Sequence, residues 1–146
     1  MKTYLTAIEL SSISPKVVEY AAQMATQSDS RLVILHVVEL APMRDPGSDI
    51  VTHSMSMESP DLKDIKSQLE QVATPLRDNG LDVETVVRVG IPADEILKQA
   101  KAIGAIMVIL GSHGHGVILQ AILGSVVTEV LHHSDIPVTV VPIHAQ

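Results

Sequence analysis

The sequence predicts an α/β fold: a single open, mainly parallel sheet with helices on both faces. Two observations carry that expectation. Five short apolar runs alternate with four stretches of helical character, and such alternation favours a parallel sheet wrapped by its crossovers. The run LVIL inside Arg31–Glu39 is too continuously apolar for a strand that faces water on one side. Right-handed crossovers restrict the topology further.

The elements follow in order. TYLTAIE (Thr3–Glu9) reads as the first strand. SPKVVEYAAQMATQS (Ser14–Ser28) reads as a helix, with Ser14 as N-cap and Pro15 at the first helical position. Val17, Ala21, Met24 and Ala25 fall on one of its faces. RLVILHVVE (Arg31–Glu39) is the second strand. Leu40–Glu58 has no sustained period and reads either as a surface loop or as a lid or partner-binding segment. Ser59–Gly80 is the second helix, with a stripe of Leu62, Ile65, Leu69, Val72 and Leu76 and with Pro75 weakening its last turn.

LDVETVVRV (Leu81–Val89) is the third strand and PADEILKQAKAI (Pro92–Ile103) the third helix, with Asp94 and Glu95 suited to its first turn. AIMVIL (Ala105–Leu110) is the fourth strand. SVVTEVLHHS (Ser125–Ser134) is the last helix and IPVTVVPI (Ile136–Ile143) the last strand. One domain is expected to span residues 1–146.

Composition excludes several functions. The formal net charge of -7 opposes binding to a nucleic-acid backbone, and no Lys/Arg cluster offsets it. The absence of cysteine rules out disulfides, thiolate catalysis and Cys-ligated zinc. Glu9 interrupts the first apolar stretch too early for a signal peptide, and no apolar run approaches the ~18 residues of a membrane span. The expectation is a soluble cytoplasmic protein without a membrane partner.

The chemistry concentrates in GSHGHGVILQAILGS (Gly111–Ser125), which follows the fourth strand. Open α/β sheets bind ligands beyond the carboxyl ends of their strands, where strand order reverses. Gly124-Ser125 opens a helix whose N–H groups and dipole suit a phosphate. The competing reading is that Gly111 ends a strand and Gly124 separates two helical segments. Gly111 and Gly116 have the spacing of a Walker loop, but Val117-Ile118 replace its Lys-Ser/Thr. A dinucleotide fingerprint fails at Leu119, which stands at its third glycine.

Gly111, Gly114, Gly124 and Ser125 do fit another pattern: glycine, two residues, glycine, nine residues, glycine, Ser/Thr. This resembles the nucleotide-binding signature of the universal stress protein family. VGIPADEIL (Val89–Leu97), IPVTVV (Ile136–Val141) and ILHVVE (Ile34–Glu39) resemble family segments too, so the likeness covers essentially the whole chain. It implies a single doubly wound open sheet of five parallel strands, in the order 3-2-1-4-5, with helices on both faces. It implies ATP, or ADP or AMP, held across the ends of the first, second and fourth strands, with magnesium or manganese on the triphosphate.

By that comparison Val37 contacts adenine, with Ala7 and Ile8 nearby. Gly111, His113 and Gly114 line the ribose and phosphate path. Gly124, Ser125 and Val126 hold phosphates through backbone N–H and hydroxyl groups. The resemblance also implies a homodimer through the last strand, Val138 to Ile143. Glu9 stands where the family usually has Asp, keeping the charge on a longer arm for ribose or metal.

Other constellations are weaker. No carboxylate lies close in sequence to His113 and His115, and a metal site needs several convergent ligands. His132 and His133 suit the last turn of a helix, and His36 reads as a core or rim residue. Ser112 and His113 lack an orienting acid, and G-x-S-x-G is absent. The leading reading is an ATP-binding regulator of a stress response. The alternatives are a nucleotide-independent dimeric interaction module and a slow ATP hydrolase.

Overall fold

The computed structural model describes residues 1–10, 14–39, 60–113 and 123–143. The expected loop Leu40–Glu58 and the middle of the glycine segment, Gly114 included, lie outside them. Nine elements alternate along the described chain: β1 (Thr3–Ala7), α1 (Ser14–Gln27), β2 (Arg31–Glu39), α2 (Pro60–Asp78), β3 (Val83–Gly90), α3 (Pro92–Ile103), β4 (Met107–Gly111), α4 (Ser125–His133) and β5 (Val138–Val141). The strands form one sheet in the order β3-β2-β1-β4-β5, and every pairing is parallel.

Side-chain alternation divides the core between the two faces. Tyr4, Leu32, Ile34 and Ile109 point toward α1 and α2, where they meet Val17, Ala21, Ala25, Leu62 and Leu69. Leu5, Val33, Leu35, Val108 and Leu110 point the other way and meet Ala93, Ile96 and Ala100 of α3 and Val127 and Val130 of α4. Because β2 and β4 are apolar on both faces, their sequences show continuous runs instead of alternation. In the middle of the sheet the buried Thr6 hydroxyl donates to the Ile109 carbonyl at 2.9 Å, so it costs little to bury.

The ends differ from expectation for local reasons. β1 stops at Ala7, and Leu10 then turns the chain with φ 56°. α2 continues through Pro75 to Asp78. Proline removes the donor to the Gln71 carbonyl, but both residues are exposed and water can replace that bond. β5 ends at Val141, because Pro142 has no N–H with which to extend a ladder.

α3 ends on Gly104 at φ 63°, ψ 40°, whose N–H closes onto the last turn. A Cβ there meets nothing within 4 Å, so backbone conformation alone sets the cost of a side chain. Gly104→Ala should therefore destabilise the fold by ~1 kcal/mol, read by chemical denaturation.

A polar staple fastens α2 to β3 at one edge of the sheet. Arg77 donates from Nε to the Val83 carbonyl at 2.9 Å and pairs with Glu70, which also accepts from the Thr85 hydroxyl. The Arg77 guanidinium, then the Thr85 hydroxyl, hold the Glu70 carboxyl below its ordinary range; burial acts weakly in the opposite sense. A carboxylate with a lowered folded-state pKa adds stability above its unfolded pKa and loses it as pH falls through the folded one. Glu70→Gln should cost less than ~1 kcal/mol near neutrality, because the pair is half exposed. That cost should shrink as pH drops below about 4, and paired urea titrations would show it.

Candidate functional site

Strand order reverses between β1 and β4. The chain passes from β1 to β2 on one side, while β4 lies against the other side of β1. Their carboxyl ends therefore border the crevice where open α/β sheets place ligands. Glu9 follows β1 and is exposed; Gly111 ends β4, and Ser112 and His113 follow it.

On the α3/α4 face of this crevice, Ala7 and Val37 share one apolar cluster with Val126 of α4. All three are half-buried, so apolar surface remains beside the strand ends. Ile8 lies on the opposite face, buried beneath α1 with Val17 and Ile143. Its side chain therefore does not join Ala7 and Val37. Its main chain still belongs to the edge: the Ile8 N–H donates to Leu35 O at 2.9 Å, and its carbonyl accepts from His36 Nδ1 at 2.8 Å. A carbonyl can only accept, so that bond places a proton on Nδ1. His36 is thus a rim residue that fixes the exit from β1.

The described ends of the glycine segment meet through Ser112. Its carbonyl accepts the Gly124 N–H at 2.8 Å, although eleven residues lie between the two in sequence. Gly124 then starts α4 at φ -68°, ψ 161°, and no side chain among the described residues caps the helix. Its own carbonyl receives the Thr128 N–H at 3.1 Å and the Thr128 hydroxyl at 2.9 Å. Ser125 is exposed at the first turn, and the helix dipole directs partial positive charge to that end.

Gly111 has a packing reason to be glycine. A Cβ there would lie 3.1 Å from Val17 Cγ2 and 3.3 Å from Ile143 Cγ1. Gly111→Ala should therefore push two apolar side chains and cost about 1 kcal/mol, measurable as a lower denaturation midpoint. His113 is half-buried, and its Nδ1 lies 3.1 Å from Ser112 Oγ. Ser112 itself is 7% exposed, with its hydroxyl accepting the Ile143 N–H at 2.8 Å. The sequence raises Ser112 only as a nucleophile candidate; these bonds give it a positional role.

His132 and His133 occupy the last turn of α4, where His133 Nδ1 lies 3.0 Å from the Glu129 carbonyl. Among the described residues no three His, Cys, Asp or Glu side chains gather where they could hold a metal ion. Among the same residues no helix is long and apolar enough to cross a membrane.

Comparison with known proteins matches this architecture. Universal stress protein MJ0577 of Methanocaldococcus jannaschii is 38% identical over 79 residues, which span 54% of this chain and 49% of that protein. The solved structure of hypothetical protein MJ0577 superposes with a TM-score of 0.77 at 27% identity, covering 99% of this chain and 98% of that one. A universal stress protein in complex with cAMP gives a TM-score of 0.71 at 23% identity, covering 97% and 96%. One from Archaeoglobus fulgidus in complex with dAMP gives 0.66 at 20% identity, covering 96% of each. The family model matches residues 1–142, and the chain belongs to the universal stress protein family.

Proposed function

We propose that this protein binds an adenine nucleotide, with ATP as the reference ligand, at the carboxyl edge of β1, β2 and β4, and that occupancy regulates its interactions. The observation that carries this reading is the start of α4, uncapped by any side chain among the described residues and held against the end of β4 by the bond from Gly124 N–H to Ser112 O. The Gly124 backbone conformation is open to any residue, so conformation does not require glycine there. Close approach by a phosphate does.

On this reading the N–H groups of Ser125 and Val126 and the Ser125 hydroxyl receive phosphate oxygens. The apolar surface of Ala7, Val37 and Val126 receives the base. Gly111, His113 and Gly114 border the ribose and phosphate path, and Glu9 faces ribose or metal. Relatives solved with cAMP and dAMP support an adenine nucleotide as the ligand class.

A divalent ion fits as a companion of the triphosphate. The carboxyl edge offers the exposed carboxylates of Glu9 and Glu39, which are hard oxygen donors of the kind magnesium takes. With no protein cage among the described residues, phosphate oxygens and water would complete its coordination. The ion would neutralise phosphate charge near those carboxylates.

A second copy of the chain is proposed to pair along Val138 to Ile143. β5 has β4 as its ladder partner and no strand on its other side among the described residues. Sedimentation velocity should then give a dimer; a monomer at micromolar concentration would remove this part. For the nucleotide itself, isothermal calorimetry with ATP and magnesium should show one site per chain. No heat, together with no adenine-nucleotide adduct in native mass spectra of freshly purified protein, would overturn the reading.

A further inference from the structure

We infer that Ser112 is a positioning residue that couples the phosphate seat to the chain leaving β5. The inference rests on the proposed nucleotide site and extends it to a part of the molecule outside that site. Three connections meet at this one residue. The Ser112 carbonyl holds the Gly124 N–H at 2.8 Å, at the helix start proposed to seat phosphate. Its own N–H donates to the Val141 carbonyl at 2.9 Å, continuing the β4–β5 ladder one step past Gly111. Its hydroxyl accepts the Ile143 N–H at 2.8 Å and lies 3.4 Å from the Ile143 carbonyl.

The surroundings leave this junction little slack. Ser112 is 7% and Ile143 7% exposed, and Ile143 packs against Gly111 and Val17. Pro142 cannot donate, so after β5 the chain regains a backbone donor at Ile143, and that donor goes to the Ser112 hydroxyl. A shift of Gly124 toward a bound phosphate therefore pulls on a residue whose other bonds end at Val141 and Ile143. Coupling of this kind runs both ways: whatever fixes Ile143 also biases the position of Gly124.

The hydroxyl separates the two linkages experimentally. Ser112→Ala keeps the main-chain bonds to Gly124 and Val141 but removes the acceptor of the Ile143 N–H, together with the hydroxyl's 3.1 Å contact to His113 Nδ1. Ser112→Thr keeps that acceptor. The measurement is hydrogen exchange at the Ile143 amide by NMR, on the full chain, without nucleotide and at saturating ATP with magnesium. Saturation makes any loss of affinity in a variant irrelevant to the readout.

In the unaltered protein ATP should slow exchange at Ile143 by about fivefold or more, the lower end of ordinary site-to-site coupling. Ser112→Ala should bind ATP yet show no ATP-dependent change at Ile143, and Ser112→Thr should restore the change. A merely structural serine would alter basal exchange in both conditions and leave the ATP response intact, which would overturn the inference. ATP binding by the unaltered protein without any response at Ile143 would overturn it as well, whether or not Ser112→Ala folds. That result would leave the nucleotide site standing, whereas absence of calorimetric ATP binding would remove both.

Discussion

Gly124→Val should abolish measurable ATP binding while leaving the protein folded. Gly124 sits at φ -68°, ψ 161°, a region valine occupies without strain, so the backbone can accept the change. Its N–H still reaches the Ser112 carbonyl and its carbonyl still receives Thr128. What changes is the space immediately before the first turn of α4. An isopropyl group there would occupy the approach to the N–H groups of Ser125 and Val126.

Losing two charge-assisted hydrogen bonds corresponds to roughly 3 kcal/mol or more, hence an affinity loss of at least ~100-fold. Circular dichroism and the denaturation midpoint should change little, and calorimetry with ATP and magnesium reads the loss. Near-normal binding by Gly124→Val would show that phosphate does not sit at this helix start. If the protein is instead a nucleotide-independent interaction module, partner capture by Gly124→Val should equal that of the unaltered chain with and without ATP.

Leu5→Ala should have the largest effect on stability. Leu5 lies on the central strand β1, fully buried, with Val33 beside it in register on β2 and Val108 on β4. Those three side chains share the layer between the sheet and α3/α4 with Leu35, Ile96 and Leu110. Removing three carbons from the middle of such a layer leaves a cavity that parallel strands fixed on both sides cannot collapse. The cost should be about 3 kcal/mol, within the 2–5 kcal/mol span of such truncations. It is a large part of the ~5–15 kcal/mol by which domains of this size are stable. Ile106→Ala, at a side chain 38% exposed just before β4, should stay within about 0.5 kcal/mol. Urea titrations of the two variants compare them directly, and a cost below 1 kcal/mol for Leu5→Ala would contradict the two-layered core.

Much of this fold was legible because its signals are local. The stripes of α1 and α2 were readable at helical spacing, and Val17, Ala21, Ala25, Leu62 and Leu69 are all buried. Ala73 completes the second stripe yet was not singled out, because a methyl group adds little to an apolar pattern. Strand order was a different matter. Periodicity gives strands and crossovers, but order 3-2-1-4-5 came from the family resemblance and agrees with the sheet observed.

The site was partly legible. Spacing pointed to Gly124-Ser125 at a helix start, and the structure places α4 there. The family resemblance sets both Ala7 and Ile8 near adenine, whereas the period of two along a strand turns their side chains to opposite faces. That parity was already present in the sequence. The resemblance puts Gly111 on the ligand path, but the closeness of Val17 and Ile143 to its Cα depends on how α1 and the chain after β5 pack together. The bonds from Ser112 to Gly124 and Ile143, and from His36 to Ile8, join residues distant in sequence. They depend on how segments distant in sequence meet at the edge of the folded sheet, which no local pattern encodes.

The central claim, an adenine nucleotide across the carboxyl ends of β1, β2 and β4, is tested most directly by a crystal structure grown with ATP and magnesium. The expected density has the base against Ala7 and Val37 and phosphate oxygens within hydrogen-bond distance of the Ser125 and Val126 amides. A fully ordered structure at saturating ATP with no nucleotide there, or with nucleotide on another face of the sheet, would contradict it.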